Sequence, residues 1–182
     1  RFDTGINLLK SLGYKVAFRD AIFESHDYLA GDDDRRAEEF KEALDDADAA
    51  AIWCARGGYG AQRLYPLLDQ LEVSSPKWLI GFSDITALHA WTRRRGYQTI
   101  HGPNITTLAD LPQAARDETF ELMQETTWSG WSLKGEDDGP DEVQGRLVGG
   151  NLTVLASLMG STEQPFFKNE LLCLEDVGER PY

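Results

Sequence analysis

The segment Pro76–Trp91, PKWLIGFSDITALHAW, decides the fold because it leads from a buried strand directly into an amphipathic helix. Trp78–Ile80 is a short apolar run, and the apolar residues of Ile85–Trp91 recur at helical spacing. Gly81–Asp84 must therefore turn the chain between them. Ser83 then stands at a strand-to-helix corner, where the strand's carboxyl end and the helix amino terminus suit a nucleophilic hydroxyl. The alternative is that Ser83 only caps the helix.

A second apolar run, Ala49–Cys54, leads into the glycine-rich loop Ala55–Gly60, ARGGYG, which precedes the helical segment Ala61–Leu68. Glycine lets a backbone approach a ligand closely, so the amides of Gly57 and Gly58 can point at one oxyanion or phosphate. The alternative is an ordinary strand-to-helix turn in which glycine supplies a positive φ. In a parallel sheet, this loop and the serine corner open on the same edge.

Helices and strands alternate along most of the chain, which predicts an α/β fold with a parallel sheet covered by helices on both faces. We predict an amino-terminal domain over residues 1–104, a linker over 105–142 and the beginning of a carboxyl-terminal domain over 143–182. The predicted strands are Tyr14–Phe18, Ala49–Cys54, Trp78–Ile80, Gln98–His101 and Leu171–Leu174. The predicted helices include Arg1–Leu12, Asp33–Leu44, Leu108–Glu125 and Asn151–Met159, with a turn over Gly145–Gly150 and a connector over Thr126–Glu142.

Six motifs follow one another along nearly the whole chain: YLAGDDDRRAEEF, IWCARGGYGAQRLYPLLD, GFSDITALH, TIHGP, GRLVGGNLTVL and LLCLEDVGERPY. In this order and spacing they resemble the serine LD-carboxypeptidases, a family that includes muramoyltetrapeptide carboxypeptidases and microcin C self-immunity peptidases. The resemblance implies an amino-terminal domain of the class I glutamine-amidotransferase-like type and a separate carboxyl-terminal domain. It also implies a Ser-His-Glu triad assembled between the two.

The resemblance assigns the nucleophile to Ser83 and the triad acid to Glu175, and it assigns the oxyanion-hole amides to Asp84 and to Gly57 or Gly58. These roles agree with the chemistry of acyl transfer, because an attacked amide carbonyl develops charge on its oxygen and preorganised N–H donors stabilise that charge. A carboxylate at the end of a strand can orient an imidazole. The alternative for Glu175 is a solvated acidic turn.

The resemblance also implies a substrate and no cofactor. The expected substrate is a murein tetrapeptide, cleaved at the L,D-amide bond between the diamino acid and the terminal D-Ala. Arg56 is the candidate to bind the terminal carboxylate, and the alternative is a surface or interdomain salt bridge.

Two alternative functions remain open. The first, within the family, is hydrolysis of a peptidyl or aminoacyl adenylate of the microcin C type, with Trp128 or Trp131 stacked on the base. From a different class, the chain is a non-catalytic module whose glycine loop and serine corner hold an anion.

The chain contains three histidines, His26, His89 and His101, and none matches the family's triad position, which lies downstream of the LEDVGE strand. His89 lies on the same helix as Ser83 but points away from it, so we expect a structural role. His101 precedes a Gly-Pro turn, where it either lines the cleft or only forms hydrogen bonds within the turn. We therefore expect the general base to lie outside this polypeptide.

The ends of the chain suggest an internal fragment of a longer hydrolase. The chain begins in a helix with no preceding strand, and Arg180–Tyr182 follow closely after the predicted acid. A helix that leads into the predicted strand Tyr14–Phe18 is normally fed by an earlier strand of the same sheet. We expect the 182-residue chain alone to be inactive and of low stability.

Composition limits the remaining possibilities. A chain of 182 residues with 41% hydrophobic residues can build a core. Its net charge of −13 argues against a nucleic-acid partner, and no apolar run approaches the roughly 18 residues of a membrane span.

Cys54 and Cys173 lie in apolar runs, so we expect reduced thiols packed in the core and no metal site. We expect a cytoplasmic homodimer without a membrane partner.

Overall fold

The computed structural model describes residues 1–71, 77–124, 143–165 and 167–178 of the chain. Within these residues helices and strands alternate, as predicted. The strands are β1 (Ala51–Trp53), β2 (Trp78–Gly81), β3 (Thr99–His101), β4 (Arg146–Asn151) and β5 (Glu170–Glu175). The helices are α1 (Phe2–Ser11), α2 (Asp33–Asp45), α3 (Tyr65–Leu68), α4 (Thr86–Arg94), α5 (Ile105–Leu108), α6 (Gln113–Gln124) and α7 (Leu152–Leu158), with 3-10 turns over Asp20–Phe23, Ala61–Leu64 and Ser83–Ile85.

The first sheet has the order β1–β2–β3, and all its strands are parallel. Ile52 lies opposite Leu79, and Ile80 lies opposite Ile100. Because the carboxyl ends of parallel strands meet at one edge, the loops that follow β1 and β2 open there together. A second sheet pairs β4 with β5, also in parallel.

Helices cover both faces of the first sheet, which confirms the predicted layering. Ile52 packs against one buried cluster and Trp53 against another, because successive residues of a strand point to opposite faces. The first cluster is formed mainly by α2, α3 and α4, with Phe40, Leu44, Leu64, Leu68, Leu88 and Trp91 among its members. The second is formed by α1, α5 and α6, with Ile6, Leu9, Ile105, Leu108 and Phe120.

Helix α2 begins at Asp33, as predicted, within the acidic run Asp32–Asp34. The Asp32 side chain accepts a hydrogen bond from the Arg35 amide at 2.7 Å and so caps the helix. Asp33 and Asp34 lie in the first turn, where negative charge complements the helix dipole.

Lys77 satisfies the carboxyl end of α2. It is buried, and its ammonium donates to the Ala43 carbonyl at 3.0 Å and to the Asp46 carbonyl. The change Lys77→Met keeps an apolar stem but leaves these carbonyls unpaired, so we expect a loss of about 2 kcal/mol in the free energy of unfolding. Urea denaturation measures the loss, with Lys41→Met, at an exposed position of the same helix, as the control. Equal midpoints for the two variants would contradict this role.

The predicted strand Tyr14–Phe18 is wrong. The Tyr14 amide donates to the Leu9 carbonyl at the end of α1, and Phe18 packs edge-on against Phe2 at 5.2 Å between ring centroids. A strand forms where a neighbouring strand accepts its hydrogen bonds, and within the described residues no strand pairs with this segment.

The predicted helix Leu108–Glu125 is two helices. α5 ends at Leu108 and α6 begins at Gln113. Pro112 separates them because proline lacks an amide hydrogen and disfavours a helical conformation at the preceding Leu111. The predicted connector Thr126–Glu142 lies outside the described residues.

The turn predicted over Gly145–Gly150 is also wrong, because most of this segment belongs to β4. At Gly149, φ is +151° and a Cβ atom would lie 1.7 Å from the Cys173 carbonyl oxygen, so glycine allows β4 to approach β5. The predicted helix cap is confirmed, since the Asn151 side chain accepts the Val154 amide at 3.1 Å.

The two cysteines differ in their surroundings. Cys54 packs against the first buried cluster, and burial raises the pKa of its thiol to about 12. Cys173 is exposed on β5, so the expectation that it packs in the core is wrong.

Candidate active site

The serine corner has a left-handed backbone. β2 ends at Gly81, and Ser83 opens a 3-10 turn with φ at +66°, directly before α4. This conformation costs a residue with a Cβ atom about 1 kcal/mol or more, and such strain is found at nucleophile turns. Phe82, and not Ser83, holds the cap position, and no side-chain cap hydrogen bond is formed there. The helix-cap alternative for Ser83 is therefore wrong.

The glycine loop packs directly on this corner. A Cβ atom on Gly57 would lie 3.0 Å from Ser83 Cβ and 3.1 Å from the Phe82 carbonyl oxygen, so a larger residue would push the loop away. Within the described part of the chain, the amides of Gly57 and Gly58 donate no backbone hydrogen bond. They are therefore available to an anion beside the half-buried Ser83.

Asp84 joins the serine corner to the far end of the glycine loop. Its Oδ2 atom accepts the Ala61 amide at 2.9 Å. Burial raises the pKa of the Asp84 carboxyl, although the Ala61 amide and the Arg36 guanidinium act in the opposite direction. The carboxylate of Asp84 thus has a structural contact. The catalytic role that we expect of Asp84 belongs to its backbone N–H.

Asn104 is a structural contributor to the site that sequence reasoning missed. It is only 2% exposed, and its Oδ1 atom accepts the Phe82 amide at 3.4 Å. Its Nδ2 atom lies 3.4 Å from the position of a Cβ atom on Gly57. Asn104 thus packs between the two loops of the candidate site. No local pattern marks this role, because the contacts join residues far apart in sequence.

Glu175 reaches the same region from the second sheet. It is the last residue of β5, as predicted, and lies opposite Asn151 of β4. Its Oε2 atom is 3.6 Å from Nε2 of His101, which ends β3. Both side chains line an open cleft of about 400 Å³ together with Phe82, the neighbour of Ser83. The structure therefore brings the predicted acid to the same side of the molecule as the predicted nucleophile.

His89 has the structural environment that we expected. Its side chain is buried, and its Nε2 atom lies 2.8 Å from the Gly81 carbonyl oxygen at the end of β2. Burial lowers the pKa of His89 to about 4, with the hydrogen bond to Gly81 acting in the opposite direction and the nearby His101 lowering the pKa further.

This environment predicts acid sensitivity. The folded pKa of His89 lies near 4 and the unfolded one near 6.5, so the unfolded chain binds a proton first as the pH falls. The stabilisation is complete above pH 6.5 and decreases towards pH 4, by about 3 kcal/mol in all. The free energy of unfolding, measured by urea denaturation, should therefore fall by about 2 kcal/mol more between pH 7 and pH 4.5 in the wild type than in His89→Gln, whose side chain does not titrate. An equal loss in the two proteins would contradict this assignment.

Arg56 is exposed at the start of the glycine loop. Among the described residues it forms no ion pair, so the salt-bridge alternative has no partner in that part of the chain. Its guanidinium can bind a carboxylate ligand by donating two parallel hydrogen bonds to it.

The described residues contain no group of three or more His, Cys, Asp or Glu side chains placed to hold a metal ion. Among the helices described, none is both long and apolar enough to cross a bilayer. Trp128 and Trp131, the candidates for stacking on a base, lie outside the described residues.

The chain is similar in sequence and in structure to known proteins. The chain is 40% identical to the murein tetrapeptide carboxypeptidase of Pseudomonas aeruginosa over 85% of its own length and 54% of that protein. It is 28% identical to the microcin C7 self-immunity protein MccF of Escherichia coli, over 97% of the chain and 61% of that protein. The crystal structure of muramoyltetrapeptide carboxypeptidase from Oxalobacter formigenes superposes with a TM-score of 0.81 at 31% identity, over 98% of the chain and 61% of that structure. The chain thus spans a little more than half the length of each.

Family models cover both parts of the chain. The model for the LD-carboxypeptidase N-terminal domain matches residues 1–102, and that for the LD-carboxypeptidase C-terminal domain matches residues 144–182. The first match alone includes more than half of the chain and contains both the glycine loop and the serine corner. By its sequence and by its fold, the chain belongs to the LD-carboxypeptidase family.

Proposed function

We propose that the chain carries the nucleophile, the oxyanion hole and the acid of a serine LD-carboxypeptidase. The reaction is hydrolysis of the amide bond between the diamino acid and the terminal D-Ala of murein tetrapeptides, as in peptidoglycan recycling. The observation that carries the proposal is the contact of Gly57 with a Ser83 whose backbone is left-handed. The relative from Pseudomonas aeruginosa, a murein tetrapeptide carboxypeptidase, supports the choice of substrate.

The proposed mechanism is acyl transfer without a cofactor. The Ser83 hydroxyl loses its proton to a histidine that lies outside this chain, and its oxygen forms a bond to the carbonyl carbon. The amides of Asp84 and of Gly57 or Gly58 bind the oxyanion. The bond to nitrogen then breaks as the histidine returns the proton to the leaving D-Ala, and water hydrolyses the acyl-enzyme. Glu175 orients the histidine.

Arg56 is proposed to bind the terminal carboxylate of the substrate. We expect Arg56→Met to raise KM by about 10- to 100-fold with little change in kcat, because a charge-assisted contact to the ground state is lost. Arg56→Lys keeps the charge, so its KM should lie between those of the wild type and Arg56→Met. On a tetrapeptide whose terminal carboxylate is amidated, the wild type and Arg56→Met should differ little in KM. An undiminished difference on that substrate would mean that Arg56 acts elsewhere.

The activity is tested on a polypeptide that spans the full length of the relatives, because we propose that the 182 residues alone do not turn over. Release of D-Ala from a murein tetrapeptide is compared with hydrolysis of an aminoacyl-sulfamoyl adenosine. Preference for the second substrate would favour the microcin C-type alternative, which the similarity to MccF supports.

The non-catalytic alternative is tested on the same polypeptide. Labelling of Ser83 by a serine-directed fluorophosphonate supports the enzyme. Tight binding of inorganic phosphate without labelling would support an anion-binding module instead.

Cellular context and assembly are part of the proposal. We propose a cytoplasmic homodimer that acts on a small peptide and has no nucleic-acid or membrane partner. The division into an amino-terminal domain over 1–104, a linker over 105–142 and a carboxyl-terminal domain from 143 also remains a proposal, and the limits of the two family matches support it.

A further inference from the structure

The cleft contains a histidine that the proposed mechanism does not use. His101 ends β3 on the first sheet, and Glu175 ends β5 on the second. The two side chains are 30% and 34% exposed, and their nearest polar atoms are 3.6 Å apart. The contact therefore joins the proposed triad acid to the sheet that carries the proposed nucleophile.

His101 is held in place by its neighbours. Its ring packs edge-on against Phe82, with centroids 6.4 Å apart, and lies 6.1 Å from the ring of the buried His89. His89 in turn contacts the Gly81 carbonyl. The position of the imidazole is therefore tied to the strand end that precedes Ser83.

One carboxylate oxygen of Glu175, Oε2, is buried without a hydrogen-bond partner among the described residues. A separation of 3.6 Å is slightly beyond a hydrogen bond, and catalytic contacts often shorten when the substrate binds. A small shift of either side chain would let His101 Nε2–H donate to this oxygen.

We infer that His101 is a positioning residue for Glu175. Its Nε2–H binds Oε2 and so leaves Oε1 to accept a hydrogen bond from the histidine that serves as general base. A carboxylate that orients an imidazole must itself be held in one rotamer, and donors to its second oxygen do this in other histidine-carboxylate sites. This role rests on the proposed function, since it assumes that Glu175 is the triad acid.

Two substitutions separate positioning from other roles. His101→Gln keeps a donor at nearly the position of Nε2, whereas His101→Leu removes it and retains apolar bulk. In the full-length polypeptide, we expect His101→Leu to lower kcat on the murein tetrapeptide by about 10- to 100-fold, as for other residues that orient a functional side chain, with KM within about twofold. His101→Gln should recover most of this loss. His26→Leu, at an exposed histidine, is the matched control and should be unchanged.

Either of two kinetic results would overturn the inference. If His101→Leu retains full kcat, the contact has no catalytic consequence. If His101→Gln is as slow as His101→Leu, the imidazole itself is required and His101 does more than position Glu175.

A second measurement does not depend on the substrate. The titratable groups that face His101 from the packed elements are Glu175 on β5 and His89 on α4. Burial lowers the pKa of His101, whereas Glu175 raises it. In histidine-labelled NMR spectra, Glu175→Gln should therefore shift the His101 titration to lower pH. An unchanged titration would show that the two residues are not paired, whatever the substrate is. If the His101 titration shifts but the full-length polypeptide does not release D-Ala, the pairing of His101 with Glu175 is confirmed and only the proposed function is rejected.

Discussion

Ser83→Ala is expected to lower kcat on the murein tetrapeptide by roughly 10⁴- to 10⁶-fold while KM changes little, because loss of the proposed nucleophile removes the covalent route but leaves the binding groups. The measurement is release of D-Ala by a polypeptide that spans the full length of the relatives. Normal turnover by Ser83→Ala would reject the nucleophile assignment and, with it, the proposed mechanism.

Stability provides the matched control for this substitution. Ser83 has φ at +66°, a conformation that glycine adopts without strain. Ser83→Gly should therefore be as inactive as Ser83→Ala, yet more stable to urea than Ser83→Ala by about 1 kcal/mol. Equal stability of the two variants would mean that the corner relaxes and holds no strain.

Gly57→Ala is expected to have the next largest effect, a loss of about 10²- to 10³-fold in kcat, similar to removal of one oxyanion-hole donor. The added methyl group would lie 3.0 Å from Ser83 Cβ and 3.1 Å from the Phe82 carbonyl oxygen, so the loop must move away from the serine. Gly57 has no positive φ, so the effect is steric and not a result of backbone strain.

Two controls make the test of Gly57 specific. Gly145→Ala introduces the same methyl group just before β4, against the flexible Leu171 side chain at 3.3 Å, and should leave kcat unchanged. A phosphonate analogue of the tetrahedral intermediate should bind Gly57→Ala more weakly by about the factor lost in kcat, because it places an oxyanion at the same donors. Unaltered binding of the analogue would place the oxyanion hole elsewhere.

Local patterns were sufficient wherever one element carries its own signal. The acidic run Asp32–Asp34 predicted the start of a helix that the structure places at Asp33–Asp45, and the GFSD turn between apolar segments predicted the serine corner. The predicted strand Tyr14–Phe18 failed because a strand depends on a neighbour, which its own residues do not specify. β4 was missed because Gly149 and Gly150 weaken its local signal, although the close approach of Cys173 requires glycine at position 149.

The sequence by itself determined the family, the alternation of helices and strands, and the positions of Ser83 in a turn just after one strand and of Glu175 at the end of another. These follow from short periodic patterns and motifs in which each residue is close to its neighbours in the chain. Only the tertiary structure decided that Gly57 touches Ser83, that Asn104 packs between their loops and that His101 faces Glu175. Those contacts join residues from 22 to 74 positions apart. Packing of the two sheets and their loops sets the distances on which the proposed chemistry depends.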